Sequence, residues 1–537
     1  TDDGYSFHQK LAHPEVYGLE SANVPMRWGE FTEADTEAYA LECAAWLERL
    51  LAIPRAELNA RDQFSYDVLQ QYLEDASAEN VYAYYYEPLT EYNGMHSSIP
   101  LALGLFQIES EQDALDYLAL LEDVPRYMGQ ILAYEQERAA RGLFMPETAL
   151  DKVLAACGEI IDASDGFYLI GTFNEAVDGL SGLPETTAAA YKARNQELVA
   201  GPFMEAYRAL RQGLEALRGD CREPAGLSSL GETAAAYFEY ALQLEGNNRL
   251  SVEETLELIR NEMYYMLAQY LEVYGADPEA LQDTTLTSGD TQTDIDFLKT
   301  LTSRLLFELP EHSLRISAFP EELESMVSGA AYVIPPVDDW TDNEILINPA
   351  YEDAQRLLTL AHEGYPGHLF QYVYQRSLTD TGLMQRALHF GGYAEGWSQT
   401  AEYLVAMNQD VYNASYSAIH FYNHMILNVL LPAIVSIYVN YYGYTEDGIR
   451  SYLASLNLDS DELVDFYYAL AIEQPLYVFS YASGYCQLAA LMRDAEENMG
   501  ERFDRSAFLK AYLDLGPGYF NLVQERMDVW IDENAPE

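Results

Sequence analysis

Apolar residues recur at three- and four-residue spacing along most of the chain, for example over residues 36–51, 112–138, 186–217 and 252–274. That is the period of amphipathic helices, so the pattern predicts a mainly α fold. The repeat lapses over residues 275–294, where Asp, Thr, Ser and Gly replace it. A chain of 537 residues exceeds what one core usually serves. We therefore expect an N-terminal helical lobe (1–274), a polar connector (275–294) and a C-terminal helical lobe (295–537). Just beyond the connector, two β-type runs at 331–335 and 344–348 flank the turn-rich PVDDWTDN, which predicts a short hairpin. Asn348 and Pro349 then suit the cap and first position of a helix running through Leu357, Leu358 and Leu360 to His362.

At the end of that helix stands His362-Glu363-Gly364-Tyr365-Pro366-Gly367-His368. In a His-Glu-x-x-His helix the two imidazoles are about 40° apart after one turn and face one ion. Here they are six residues apart, roughly 120° off a common face in a regular helix. Gly364, Pro366 and Gly367 supply the means of breaking it, since Gly tolerates unusual dihedrals and Pro obstructs the carbonyl four residues back. A break after Glu363 is therefore expected. Further on, GGYAEGWSQTAEYL puts Glu395, Gln399 and Glu402 on one helical stripe. One carboxylate would complete a site of two His and one Glu with a position left for water, and the other would orient a ligand from behind. Glu395 is the favoured ligand and Glu402 the favoured support, with the reverse assignment open.

These two segments resemble the hallmark of the bacterial DUF885 family, a His-Glu-x-x-Pro-Gly-His segment followed by one like Glu-Gly-Trp-x-x-x-x-Glu. The similarity extends to PLTEYNGMHSSIPL, to the 226–242 region and to SYASG near the C-terminus. The resemblance implies a helical, gluzincin-type zinc metallopeptidase, with two lobes forming a shell around a deep substrate cleft. It further implies Zn2+ held by His362, His368 and a Glu, with Glu363 as the base. Near Asn440 and Tyr441 the chain departs from the family pattern, reading SIYVNYYGY, so no substrate contact is assigned there.

Charge narrows the partners. With 87 acidic and 29 basic residues, a net charge of −58 repels phosphate backbones and argues against nucleic acid. The longest apolar stretch, 425–439, carries Asn428, Pro432 and Ser436 and is shorter than the roughly 20 residues of a membrane span, so it reads as a buried core helix. Cys43, Cys157, Cys221 and Cys486 form no Cys-x-x-Cys pair and read as buried thiols. The chain opens at Thr1 without an initiator Met, as after removal of an export signal, which points to an extracellular or cell-surface protein and leaves a cytoplasmic one open.

The expected activity is zinc-dependent hydrolysis of peptide bonds, with Glu363 moving the proton and Tyr481 in PLYVFSYASG donating to the oxyanion. A non-catalytic binding protein on the same scaffold, or an amidohydrolase of modified amino acids, are the alternatives. The strand at 344–348 is a candidate edge for an extended peptide. Arg376, Arg386 and Arg493 read as surface ion-pair residues unless a substrate carboxylate recruits one of them. His420 and His424, at i and i+4 with no Glu beside them, read as core packing, and His389 as a structural histidine. Oligomeric state is not readable.

Overall fold

The computed structural model describes residues 3–19, 24–276, 290–324, 327, 329–350, 356–408, 411–412 and 414–535. The fold is mainly α with one small sheet. Two compact units are distinguished, and their boundary differs from the one expected. The first comprises Thr1–Ala44, Asp75–Ala225 and Pro320–Leu323, and the second Ala45–Glu74, Gly226–Phe319 and Glu324–Glu537. The polar stretch therefore lies inside the second unit, and most of it falls outside the described residues. The physical reason is packing: helix Val252–Ala276, before the stretch, lies against Phe479–Met499 far beyond it.

The first unit is built on helix Glu111–Ala140, which opens with a reciprocal Ser110/Asp113 capping box. Val124, Met128 and Ile131 of that helix join Leu150, Val153, Phe203 and Tyr207 in a continuous core. Arg138 is buried in this unit but neutralised, at 2.9 Å from both Glu135 and Glu87.

In the second unit the sheet has the order β1-β3-β2, with β1 Ser313–Ala318, β2 Ala330–Val333 and β3 Asp342–Ile347. The expected β2-β3 hairpin is antiparallel, and β1, unforeseen, pairs parallel to β3. The expected free edge at 344–348 is thereby corrected. β3 is central and hydrogen-bonded on both sides, because the strand SLRISA supplies a second neighbour, and β1 and β2 are the edges.

The described part of the next helix begins at Arg356, and residues 351–355 of the expected run from Asn348 lie outside the described residues. Asn348 Oδ1 does accept from Ala350 N–H at 3.0 Å. Helices Gly391–Ala406 and Phe479–Met499 cross at glycines, where a Cβ on Gly396 or Gly484 would overlap the other backbone. The apolar stretch lies in a continuous helical run, Ser415–Asn440, whose middle, Phe421–Leu430, is π-helical. By length and composition the 26-residue run is long and apolar enough to cross a membrane, and 67% of its most apolar window is buried inside the protein. Cys43, Cys157 and Cys486 are buried free thiols, and Cys221 is only partly buried.

Candidate metal centre

The helix ending in His362 and Glu363 is Arg356–Glu363, and His368 opens the next, His368–Ser377. The break expected between them is present. Gly364 closes the first helix by donating to Leu360 O (2.9 Å), the Tyr365-Pro366 peptide is cis, and Gln371 N donates to Gly367 O at 3.0 Å. The connecting turn is held from outside. Trp397 Nε1 donates to Pro366 O (2.8 Å) and Gly367 O (3.2 Å), and the Tyr365 hydroxyl is 2.5 Å from His312 Nε2. Trp397 belongs to the Glu395 helix, so the Glu-Gly-Trp segment both positions the carboxylate and fixes the turn that carries His368.

The two imidazoles meet edge to face, 4.8 Å between centroids. His362 Nε2 lies 3.4 Å and His368 Nε2 3.6 Å from Glu395 Oε2. A tetrahedral ion with bonds of about 2.1 Å holds its ligand atoms roughly 3.4 Å apart. The two His-to-Glu distances thus suit a small tetrahedral ion, and two imidazoles with a carboxylate are a donor set that zinc accepts. Glu395 Oε2 is buried without a hydrogen bond, as an atom reserved for a cation would be. Burial raises the Glu395 pKa, but the neighbouring His368 and His362 outweigh it and hold the carboxyl well below its usual range.

Glu402 lies behind His362. Its Oε1 is 2.8 Å from His362 Nδ1, which leaves Nε2 facing Glu395. Its Oε2 is 3.5 Å from His420 Nε2 and 3.6 Å from His424 Nε2, whose rings stack. These histidines are the residues that sequence reading placed in the core. His420 is indeed buried, but both are aimed at Glu402, which lies on a separate helix, so only the fold reveals the cluster. His368 Nδ1, by contrast, is buried without a partner. Replacing Glu402 with Ala is expected to weaken zinc binding about 10- to 100-fold, the usual scale for losing such a support. A competition titration checks it, and an unchanged affinity would mean His362 is oriented by other contacts.

Although burial opposes its charge, contacts with Glu395 and Glu402 lift the His362 pKa well above the ordinary imidazole value. The metal-free ring therefore carries a proton at neutral pH that a divalent ion must displace. Affinity for zinc is then expected to rise with pH, by up to about tenfold per unit for that proton, and to go on rising above pH 7. Calorimetry across about pH 6 to 9 measures this, and a flat profile would contradict it.

Glu363 is half-buried beside the centre, its Oε2 accepting from Tyr332 N–H of edge strand β2 at 2.8 Å. Tyr481 lies close enough to feel Glu395, Glu363 and Glu402, which add to burial in raising its hydroxyl pKa far above normal. It stays protonated and can donate. Asn440, where the chain departs from the family pattern, is buried and bonded to Ala471 O (2.7 Å), Ser436 O (3.1 Å) and Leu227 N (3.0 Å), a structural role. Arg493 forms the expected ion pair, 2.6 Å from Glu262. Arg376 does not, being buried under the carbonyls of Pro335 and Pro336.

A mainly helical scaffold thus brings together two His and one Glu whose donor atoms could hold a metal ion, with a second Glu behind His362. The chain belongs to the DUF885 family, whose model, described as "Bacterial protein of unknown function (DUF885)", matches residues 16–527. No curated protein matches the sequence. Among solved structures, the chain is similar to a "putative lipoprotein" from Colwellia psychrerythraea, at TM-score 0.82 and 16% identity, covering 98% of this chain and 97% of that one. It is also similar to a "putative lipoprotein of unknown function" from Shewanella oneidensis, at TM-score 0.64 and 15% identity, covering 96% of each. At these identities the likeness is one of fold.

Proposed function

We propose that this protein is a zinc-dependent hydrolase of peptide bonds. The observation that carries the reading is the approach of His362, His368 and Glu395 to one another at ligand spacing, with the carboxylate of Glu363 beside them. A zinc ion held there supplies a Lewis acid that polarises the scissile carbonyl and acidifies water. Glu363, steadied by the Tyr332 amide, takes the proton of the attacking water and delivers it to the leaving amine. Tyr481 donates its hydroxyl to the developing oxyanion, and its raised pKa keeps that proton in place. Glu402 holds His362 by its Nδ1–H throughout.

The acidic surface and the lipoprotein descriptions of the two similar structures support a location outside the cytoplasm, and cell fractionation tests that. Activity is tested by incubating the zinc-loaded protein with a mixed peptide library, with and without chelator, and reading the products by mass spectrometry. Chelator-sensitive cleavage is the expected result. A zinc-loaded protein that cleaves no peptide or amide is a binding protein instead.

A further inference from the structure

Beyond His368 the same helix carries Tyr372 and Arg376, at i+4 and i+8, and these side chains line a narrow cavity with Gln371, Arg386, Phe390 and Ala394. Its volume, about 20 Å³, has room for one small polar group and not for a side chain. Three sources of positive potential converge on it. Arg376 is 8% exposed, with its Cζ 5.0 Å from the Tyr372 ring centroid. Its bonds to Pro335 O and Pro336 O both use Nη1, and its Nε is buried with no acceptor. Arg386 Nη1 donates to Arg376 O at 2.9 Å, bringing a second guanidinium to the same wall. The third source is the N-terminus of the 16-residue Glu395 helix, which starts at Phe390 without a side-chain cap.

The surroundings make this unusual. In a chain with three acids for each base, the other deeply buried guanidinium described above, Arg138, has two carboxylates at 2.9 Å. Among the described residues Arg376 has none within ion-pair distance, and Asp338 acts on it only from farther away. Burial opposes its charge, so a buried cation kept without an anion is a cost unless an anion arrives. The cavity also adjoins the metal centre. The Tyr372 ring is 6.4 Å from that of His368, and Ala394 precedes the ligand Glu395.

We propose that this cavity is a carboxylate subsite that receives the free end of a peptide bound at the metal centre. Its role in substrate choice rests on the peptidase reading, whereas binding of the carboxylate does not. His368 and Arg376 are eight residues apart on one helix, about 12 Å. An extended peptide spans that in roughly three or four residues, fewer if the arginine reaches back. The subsite therefore selects chains that end shortly beyond the scissile bond and releases short C-terminal fragments.

The test uses the zinc-loaded full chain and three probes: a tetra-alanine free acid, its C-terminal amide, and an amide with Asp as the last residue. Binding is read by calorimetry and cleavage by mass spectrometry. The free acid is expected to bind at least tenfold more tightly than the alanine amide. That preference should collapse to within about twofold in Arg376→Met. It should also collapse in Leu388→Glu, at a partly exposed wall position, where the substitution supplies an internal carboxylate without removing a buried group. Equal binding of acid and amide by the parent protein overturns the proposal, as does a preference that survives in a folded Leu388→Glu variant. Tighter binding of the Asp amide than of the free acid moves the ligand from the chain end to an acidic side chain and overturns the terminal assignment. Loss of the preference in chloride, with no such loss in an equal concentration of a bulky anion, would show an inorganic-ion site instead. An acid preference without hydrolysis leaves the subsite standing and removes the peptidase reading, and hydrolysis with equal binding does the reverse.

Discussion

Replacing Glu363 with Gln is expected to lower peptide hydrolysis by about 10² to 10⁴, the usual contribution of a positioned general base, while zinc content and thermal unfolding stay close to those of the parent protein. The separation follows from what the side chain touches. Among the described residues its hydrogen bond is the one Oε2 accepts from Tyr332 N–H, and an amide oxygen at the same place can accept that bond as well. Glutamine keeps the volume and the half-buried position, so neither the Arg356–Glu363 helix nor the β2 edge has reason to move. What it loses is the capacity to take a proton. Glu363 is not among the three groups that approach one another at ligand spacing, so metal affinity should survive its change. Parallel measurements of turnover, metal content and melting temperature check this. Turnover within a few fold of the parent would show that another group is the base, and loss of zinc together with activity would place Glu363 among the ligands.

Much of this centre was legible in the sequence because its parts lie close together in the chain. The six-residue spacing of His362 and His368 requires a broken helix, and Gly-Tyr-Pro-Gly between them says how. The i and i+7 spacing of Glu395 and Glu402 puts both on one face, and the structure places Glu395 toward both imidazoles and Glu402 behind His362. What was not legible depends on contacts between distant segments. His420 and His424 looked like core residues because their carboxylate, Glu402, is on a separate helix. Arg376 looked like a surface cation because nothing local says that the end of β2 will cover it. Strand β1 was hidden since its pairing with β3 spans almost thirty residues, and that pairing makes β3 central. Residues 45–74 join the C-terminal unit through contacts such as Ser65 Oγ to Gln385 Oε1, 2.6 Å, with 320 residues between them. No period or linker composition announces such a return.

The Gly367→Ala substitution should be more damaging than any other single methyl group added to the centre. A Cβ on Gly367 would fall far inside van der Waals contact distance of the carbonyl oxygens of His362 and Ala361 and of the His362 carbonyl carbon. These are backbone atoms, so no side-chain rotation can make room. The turn itself cannot yield freely, because Trp397 holds the Pro366 and Gly367 carbonyls and Gln371 N–H holds Gly367 O. Relief must come from displacing the strand of chain that carries His362 or the start of the helix that carries His368. Either shift separates nitrogen atoms that now sit 3.4 and 3.6 Å from one carboxylate oxygen. We expect zinc affinity to fall at least 100-fold and the metal-free protein to lose about 1–3 kcal/mol, the usual range for overpacking. With an unfolding entropy of about 2 cal/mol/K per residue, that is a fall of roughly 1–3 °C in Tm for a protein of this size. Gly129→Ala is the matched control: it lies within helix Glu111–Ala140 and its added Cβ would meet no atom within 4 Å. Helix propensity alone makes that change neutral or stabilising by up to about 1 kcal/mol. Zinc titration and thermal unfolding of the two variants decide the matter. A Gly367→Ala protein that binds zinc like the parent would show that the turn can relax without moving either histidine, and that its glycine is not what allows the two rings to converge.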